Sequence, residues 1–312
     1  MQLENNSGNP IFGGFEAGGT KFNCVVGRGN GEIISRTSFP TGKPDETLFR
    51  VYDFFNQQEK GLGSIKAIGI AHFGPVEINP LSKQFGVLGK TPKPYWSNTD
   101  VRSYFSKRFN VPIAIQTDVN GSVIGEHYFG VAKKIKNFVY ITVGTGIGGG
   151  VYVNGELLQG ASHPEIGHML MANNLDDDTF VGSCPYHKNC LEGLASGTAM
   201  KERWNMSGSE LSENHPGWSL EAHYLALLCV NLTSFYSPEL IVFGGGVMKQ
   251  KHLISRIQQT FLKLTNGYCD NKISDDIKKY IVLSMFEGNA AEKGVLVMAQ
   301  REFEKNKKLK NI

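Results

Sequence analysis

At 312 residues, 40% hydrophobic and 20% charged, the chain is too long for one ordinary core and too apolar to stay unfolded, which predicts two globular domains. A net charge of +3, spread over 32 basic and 29 acidic residues, argues against nucleic-acid or membrane-surface binding. No stretch nears the roughly 18 apolar residues of a membrane span, the start over residues 1–10 is polar, and five cysteines suit no disulfide scaffold, so a cytoplasmic protein is expected.

The first clear structure lies at residues 12–27. An apolar run enters Glu16-Ala17-Gly18-Gly19-Thr20-Lys21 and leaves through Phe22-Asn23-Cys24-Val25-Val26, which reads as strand, glycine turn and strand. Further on, Ala67-Ile68-Gly69-Ile70-Ala71 and Ile113-Ala114-Ile115-Gln116 read as buried strands. Helical spacing marks residues 44–57, 100–109 and 121–129. The strand–glycine–strand unit then recurs: Phe138 to Val143 enters Gly144-Thr145-Gly146-Ile147-Gly148-Gly149-Gly150 and leaves through Val151-Tyr152-Val153, with a hairpin turn at Asn154-Gly155. Leu240-Ile241-Val242-Phe243 predicts another strand before Gly244-Gly245-Gly246, and helices are expected over 220–234 and 290–304. The basic tail of residues 301–310 reads as a solvated last helix turn. The repeat places one domain at 1–118, with the C-terminal helix 289–312 packing back onto it, and a second at 119–288.

Gly144-Thr145-Gly146-Ile147-Gly148-Gly149 matches the spacing of a dinucleotide fingerprint. Such glycines must open a helix, however, and here they lead into a strand, which excludes a Rossmann site. Glycine hairpins bind phosphate differently: bare backbone comes close, and successive N–H groups make an anion-binding concavity. Two of them suit a triphosphate, and the Gly244-Gly245-Gly246 turn suits a flat ring such as adenine, although a plain strand-to-helix turn would look the same. No Walker sequence is present, since Gly42-Lys43 is followed by Pro44.

Cys184, His187 and Cys190 stand at three-residue intervals, with His168 sixteen residues before the first. Four nitrogen and sulfur ligands fit a closed structural zinc, which would clip the polar loop at residues 173–178. His163 and His168 lie five apart with Pro164 between them, which excludes the hydrolytic helix motif. Asp118 ends the strand at 113–117, where α/β sheets bind ligands; alone it reads equally as a helix cap, but beside two phosphate turns it reads as a base. Glu165, His168 and Glu192 bracket the metal cluster and could accept sugar hydroxyls.

Together, Gly14-Phe15-Glu16-Ala17-Gly18-Gly19-Thr20-Lys21, Thr117-Asp118-Val119-Asn120-Gly121, the stretch 143–150, His163-Pro164-Glu165-Ile166-Gly167-His168 and the stretch 184–193 resemble the ROK family of sugar kinases, and within it the fructokinase branch. The resemblance spans nearly the whole chain. It implies a two-domain actin-like, ribonuclease-H-like α/β fold with an interdomain cleft, and ATP-dependent phosphorylation of a free hexose with Mg²⁺ and structural Zn²⁺. It further implies Asp118 as the base, and Gly74, Pro75, Asn120, Glu165, His168 and Glu192 on the sugar. Gly18, Gly19, Thr20, Lys21, Thr145 and Gly146 would hold phosphates, Gly244 and Gly245 adenosine, and His168, Cys184, His187 and Cys190 the zinc. A homodimer is the family expectation.

Three positions depart from the family pattern. Glu16 stands where aspartate is usual, His187 replaces one of three cysteines at a shifted spacing, and Thr117 replaces the asparagine before the base. The zinc variant resembles fructokinase-type members and favours fructose over glucose, mannose or N-acetylated hexosamines. The family's sugar-responsive repressors carry a DNA-binding segment before the first glycine turn, for which about ten polar residues leave no room. A pseudokinase is disfavoured because Asp118 and both turns are intact.

Overall fold

The computed structural model describes residues 10–172, 179–268, 273 and 275–310. The polar start at 1–9, the loop at 173–178 and Cys269 lie outside the described residues. The chain divides into two compact units. The first runs through Phe129 and takes in Ala161–His163 and the chain from Asn289; the second holds Gly130–Gly160 and Pro164–Gly288.

The first unit is built on a five-stranded sheet of β1 (Phe12–Ala17), β2 (Lys21–Gly27), β3 (Ile33–Pro40), β4 (Ile68–His72) and β5 (Ile113–Thr117), in the order β3-β2-β1-β4-β5. β1, β2 and β3 pair antiparallel, whereas β4 and β5 run parallel to β1. β4, flanked by β1 and β5, is buried along its whole length, which explains the apolar run that leads to His72. β3, absent from the strands read in the sequence, is an edge strand whose Ser35, Arg36, Thr37 and Ser38 break the apolar signal.

Helix α1 (Pro44–Leu62) starts on proline with Asp45 and Glu46 in its first turn, and buries Leu48, Val51 and Phe55 at helical spacing. Helix α2 (Val101–Phe109) is capped by Asp100, whose side chain accepts from the Ser103 amide. These helices and the sheet enclose a core of Phe15, Phe22, Phe55, Trp96 and Phe105.

Helix α3 (Asp118–Phe129) begins directly where β5 ends and lies against the C-terminal helix, Ala290–Lys310. Small residues permit the contact: a Cβ on Gly294 would stand 1.9 Å from the Gly121 carbonyl oxygen. The boundary expected at Asp118 therefore moves to the far end of α3, because this packing ties α3 to the first unit. The basic residues after Arg301 extend the same helix to Lys310 and are largely exposed.

The second unit repeats the plan. Its sheet holds β6 (Phe138–Val143), β7 (Ile147–Val153), β8 (Glu156–Leu157), β9 (Leu240–Gly244) and β10 (Ile281–Leu283), ordered β10-β9-β6-β7-β8. Again three strands meander antiparallel and two join in parallel. The β7–β8 turn has both Asn154 and Gly155 at positive φ, 52° and 88°, as a two-residue hairpin turn requires. Among the described residues the unit also holds the helices α4 (Leu191–Ala195), α5 (Gly197–Trp204), α6 (Gly217–Tyr236), α7 (His252–Thr265) and α8 (Ile277–Tyr280); the C-terminal helix of the first unit is α9. A separate core gathers Val139, Ile141, Trp218, Leu225, Phe243 and Phe261. No helix among the described residues is long and apolar enough to cross a membrane.

Candidate active site

In the first unit, the sheet's carboxyl edge collects the chemistry. The β1–β2 turn is closed by the Gly18 amide donating to the Lys21 carbonyl at 2.9 Å, leaving Gly19, Thr20 and Lys21 exposed. One strand row behind this turn is polar. Glu16, Asn23 and Ser38 are register partners across β1, β2 and β3. Ser38 Oγ donates to Asn23 Oδ1 at 2.9 Å, and Asn23 Nδ2 donates to Glu16 Oε2 at 3.0 Å.

Glu16 is pushed up to about 7, first by its withdrawal from water, and further by the negative charges of Asp118 and Glu292; Asn23 and Lys21 pull the other way. Glu292, at the start of α9, is itself raised by burial and is paired with Arg36 at 2.6 Å. Asn23 is a functional candidate missed in the sequence; its signal is a lone amide inside the apolar run of β2.

Asp118 is the first residue of α3. The cap is made by Thr117, whose hydroxyl accepts from the Asn120 amide at 3.2 Å, the third residue of the helix. Asp118 Oδ1 accepts from the Val119 amide at 2.9 Å, so the helix N-terminus steadies the half-buried carboxylate. Asn120 is buried, and its Nδ2 donates to Gln116 Oε1 at 2.9 Å. Gly74 and Pro75 follow β4, joined by a cis peptide bond, and the Pro75 carbonyl accepts from the Gly89 amide.

The last residue of β4 is His72, fully buried against Phe22, Phe73 and Trp96, with Nδ1 3.0 Å from the Phe73 carbonyl. Burial lowers it to about 4, so it is neutral at physiological pH and serves as packing rather than as a charged base.

In the second unit, Thr145 and Gly146 form the β6–β7 turn, closed by the Gly144 amide on the Gly146 carbonyl. Its backbone is held from outside. Thr198 Oγ1 donates to the Thr145 carbonyl at 2.7 Å, and the Gly197 amide donates to the Gly144 carbonyl at 2.7 Å. Glu192, in the first turn of α4, accepts from the Ile147 amide at 2.9 Å. A Cβ on Gly146 would stand 2.4 Å from that carboxylate, so a larger residue there would push Glu192 off the Ile147 amide. Glu165 precedes a short 3-10 turn, Ile166–His168, whose His168 amide donates to the Glu165 carbonyl.

His168, Cys184, His187 and Cys190 converge, their ligand atoms lying within 4.8 Å of one another. Cys190 Sγ is 3.5 Å and Cys184 Sγ 3.8 Å from His168 Nδ1, and Cys184 Sγ is 3.8 Å from His187 Nδ1. Ligands of a tetrahedral zinc stand roughly 3.4–3.8 Å apart, given about 2.3 Å to sulfur and 2.0 Å to nitrogen, so these residues fit the ion. Local backbone builds the cluster: a turn from Cys184 to Lys188 carries His187, and a bridge between Leu170 and Cys190 brings the second sulfur to His168. With Nδ1 facing the sulfurs, His168 keeps Nε2 for another partner.

Gly244 and Gly245 line a cavity of about 430 Å³ at the end of β9, together with Met248, Lys249, Met285 and Glu287. Gly245 has φ 93° and is followed by a 3-10 turn, Val247–Lys249, rather than by a long helix.

Fold and side chains define the class: a duplicated, actin-like α/β protein with glycine turns in both halves. The chain belongs to the ROK family, whose sequence profile matches residues 12–302. It is 40% identical over 294 residues to the fructokinase of Streptococcus mutans, covering 93% of this chain and 98% of that one. To the fructokinase of Zymomonas mobilis it is 39% identical over 292 residues, covering 93% and 96%. The fold is also that of a ROK family glucokinase from Streptomyces griseus, solved with glucose and AMPPNP, at a TM-score of 0.75 and 20% identity over 93% of this chain and 99% of that one.

Proposed function

We propose that this protein is an ATP-dependent fructokinase, transferring the γ-phosphoryl group of ATP to the 6-hydroxyl of fructose. The observation that carries the reading is the near full-length match, at about 40% identity, to fructokinases of separate genera. Asp118 accepts the hydroxyl proton as the sugar oxygen bonds to the γ-phosphorus and the bond to the ADP oxygen breaks. Support for that role comes from Thr117, which takes over the helix cap.

Gly18, Gly19, Thr20 and Lys21 from the first unit, and Thr145 and Gly146 from the second, offer backbone and ammonium donors to phosphate oxygens. The cavity at Gly244 and Gly245 has room for an adenosine and an aliphatic lining in Met248 and Met285. Glu165, His168, Asn120 and the Gly74-Pro75 loop are assigned to sugar hydroxyls. Glu192 already holds the Ile147 amide, and so it serves the phosphate turn as well as any hydroxyl it meets.

Two metals belong to the reading. His168, Cys184, His187 and Cys190 would hold a structural zinc, which fixes His168 for the sugar through its second nitrogen. Magnesium bound with ATP would neutralise phosphate charge, and the mutual repulsion of Glu16 and Asp118 makes that neighbourhood receptive to a cation. We further take the protein to be a cytosolic homodimer without nucleic-acid or membrane partners.

The substrate is tested by kcat/KM across fructose, glucose, mannose and N-acetylmannosamine with Mg²⁺-ATP. Fructose is expected to lead by tenfold or more. A higher value for glucose would overturn fructose while leaving the kinase in place.

A further inference from the structure

The end of β3 touches two segments that the reaction uses for different substrates. Thr41 follows β3, and its Oγ1 donates to the Gly18 carbonyl at 2.7 Å, while its amide donates to the Thr20 carbonyl at 2.9 Å. Both ends of the phosphate turn therefore hang on one residue. The next residue, Gly42, gives its amide to Thr47 Oγ1 at 3.0 Å, tying it to the start of α1. Its carbonyl accepts from Trp96 Nε1 at 2.9 Å.

Trp96 belongs to the 73–99 segment, which carries Gly74 and Pro75 near its start. It is fully buried, with its ring 5.5 Å from Phe22, 5.3 Å from His72 and 5.4 Å from Phe73. A rigid indole anchored in the core thus reaches, through Gly42 and Thr41, to the carbonyls of an exposed glycine turn. A glycine turn has little stiffness of its own, and its anion-binding amides point usefully only if its carbonyls are held from behind.

We propose that Thr41 is a positioning residue that aims the Gly18–Lys21 turn at phosphate, and that Trp96 braces it from the sugar-side segment. The proposal rests on the reading of that turn as a phosphate turn. It gives Trp96, which lies on the sugar side, an effect on nucleotide binding that contact with the nucleotide would not supply.

The test measures the Kd of a non-hydrolysable ATP analogue by titration calorimetry on the full-length protein, with thermal melting beside it. Thr41→Val keeps shape and removes the hydroxyl; it is expected to weaken binding roughly fivefold to tenfold, the scale of one lost hydrogen bond that leaves a carbonyl unmet. Thr41→Ser restores the hydroxyl and should return Kd to within about twofold. Trp96→Phe keeps an aromatic ring without the N–H and should weaken the nucleotide severalfold, with an effect that is less than additive with Thr41→Val. A purely structural role would lower the melting temperature of all variants without separating Val from Ser in Kd.

Equal Kd values for wild type, Thr41→Val and Thr41→Ser would overturn the proposal while leaving the kinase reading intact. Wild type that binds no analogue would instead overturn the phosphate-turn reading. If Thr41→Val does not fold, the comparison of wild type with Trp96→Phe decides, and an unchanged Kd there overturns the brace.

Discussion

The hydroxyl of Thr117 accepts the Asn120 amide hydrogen at 3.2 Å, so the residue that caps α3 is the one before Asp118 and not Asp118 itself. Thr117→Val should therefore cost about 1 kcal/mol of stability, and Thr117→Ser much less. Chemical denaturation of the three proteins checks this; a Val variant as stable as wild type would return the cap to Asp118.

Glu16 is held by a polar row in which Ser38 supports Asn23 and Asn23 supports Glu16. The Glu16 carboxyl titrates near 7 in the folded protein against an ordinary value of 4.5, so between those pH values the folded state holds more protons than the unfolded one. Its contribution to stability is fully present below about 4.5 and is lost as the pH rises to about 7. Melting curves should show Glu16→Gln gaining on wild type as pH climbs from 5 to 7.5, with no further change above. A constant difference across that range would remove the shift.

The same row predicts an activity effect of known sign. The Asn23 amide favours the charged carboxylate, so Asn23→Leu raises Glu16 further. An ascending limb of kcat/KM for ATP near pH 7 should move to higher pH in Asn23→Leu. A limb that stays in place assigns it to another group.

The Cys184, His187, Cys190 and His168 cluster predicts one zinc per chain in protein purified without chelator. Cys190→Ser should lower zinc content severalfold, reduce the melting temperature and raise the KM for sugar more than that for ATP, since His168 is proposed for both sets. Equal zinc in the variant and wild type would break the assignment.

Packing of α3 on α9 has no slack at Gly294. A Cβ there meets the Gly121 carbonyl at 1.9 Å, so Gly294→Ala should destabilise by about 1–3 kcal/mol through backbone displacement. Urea denaturation measures it, and a neutral result would mean that the helices part freely.

Much of this was legible before the structure. The two glycine hairpins stood out because apolar strands flank them, and the sheets repeat the same order around each. The Cys/His cluster was legible because three of its four residues fall within seven positions. Other features carry no local signal. Edge strand β3 is polar because one side meets water, so periodicity hides it. Glu192 reaches an amide 45 residues away, and Trp96 a carbonyl 54 residues away, distances over which sequence spacing says nothing. The choice between Thr117 and Asp118 as cap depends on backbone geometry that two adjacent cap-forming residues leave open.

The central claim is that Asp118 takes the proton from a hexose hydroxyl as ATP gives up its phosphoryl group. ADP release with Mg²⁺-ATP and fructose tests it most directly, comparing wild type with Asp118→Asn. Wild type should release ADP only when sugar is present, and the variant should lose about 10²–10⁴-fold in kcat with an unchanged fold. An Asp118→Asn enzyme as fast as wild type would contradict the account.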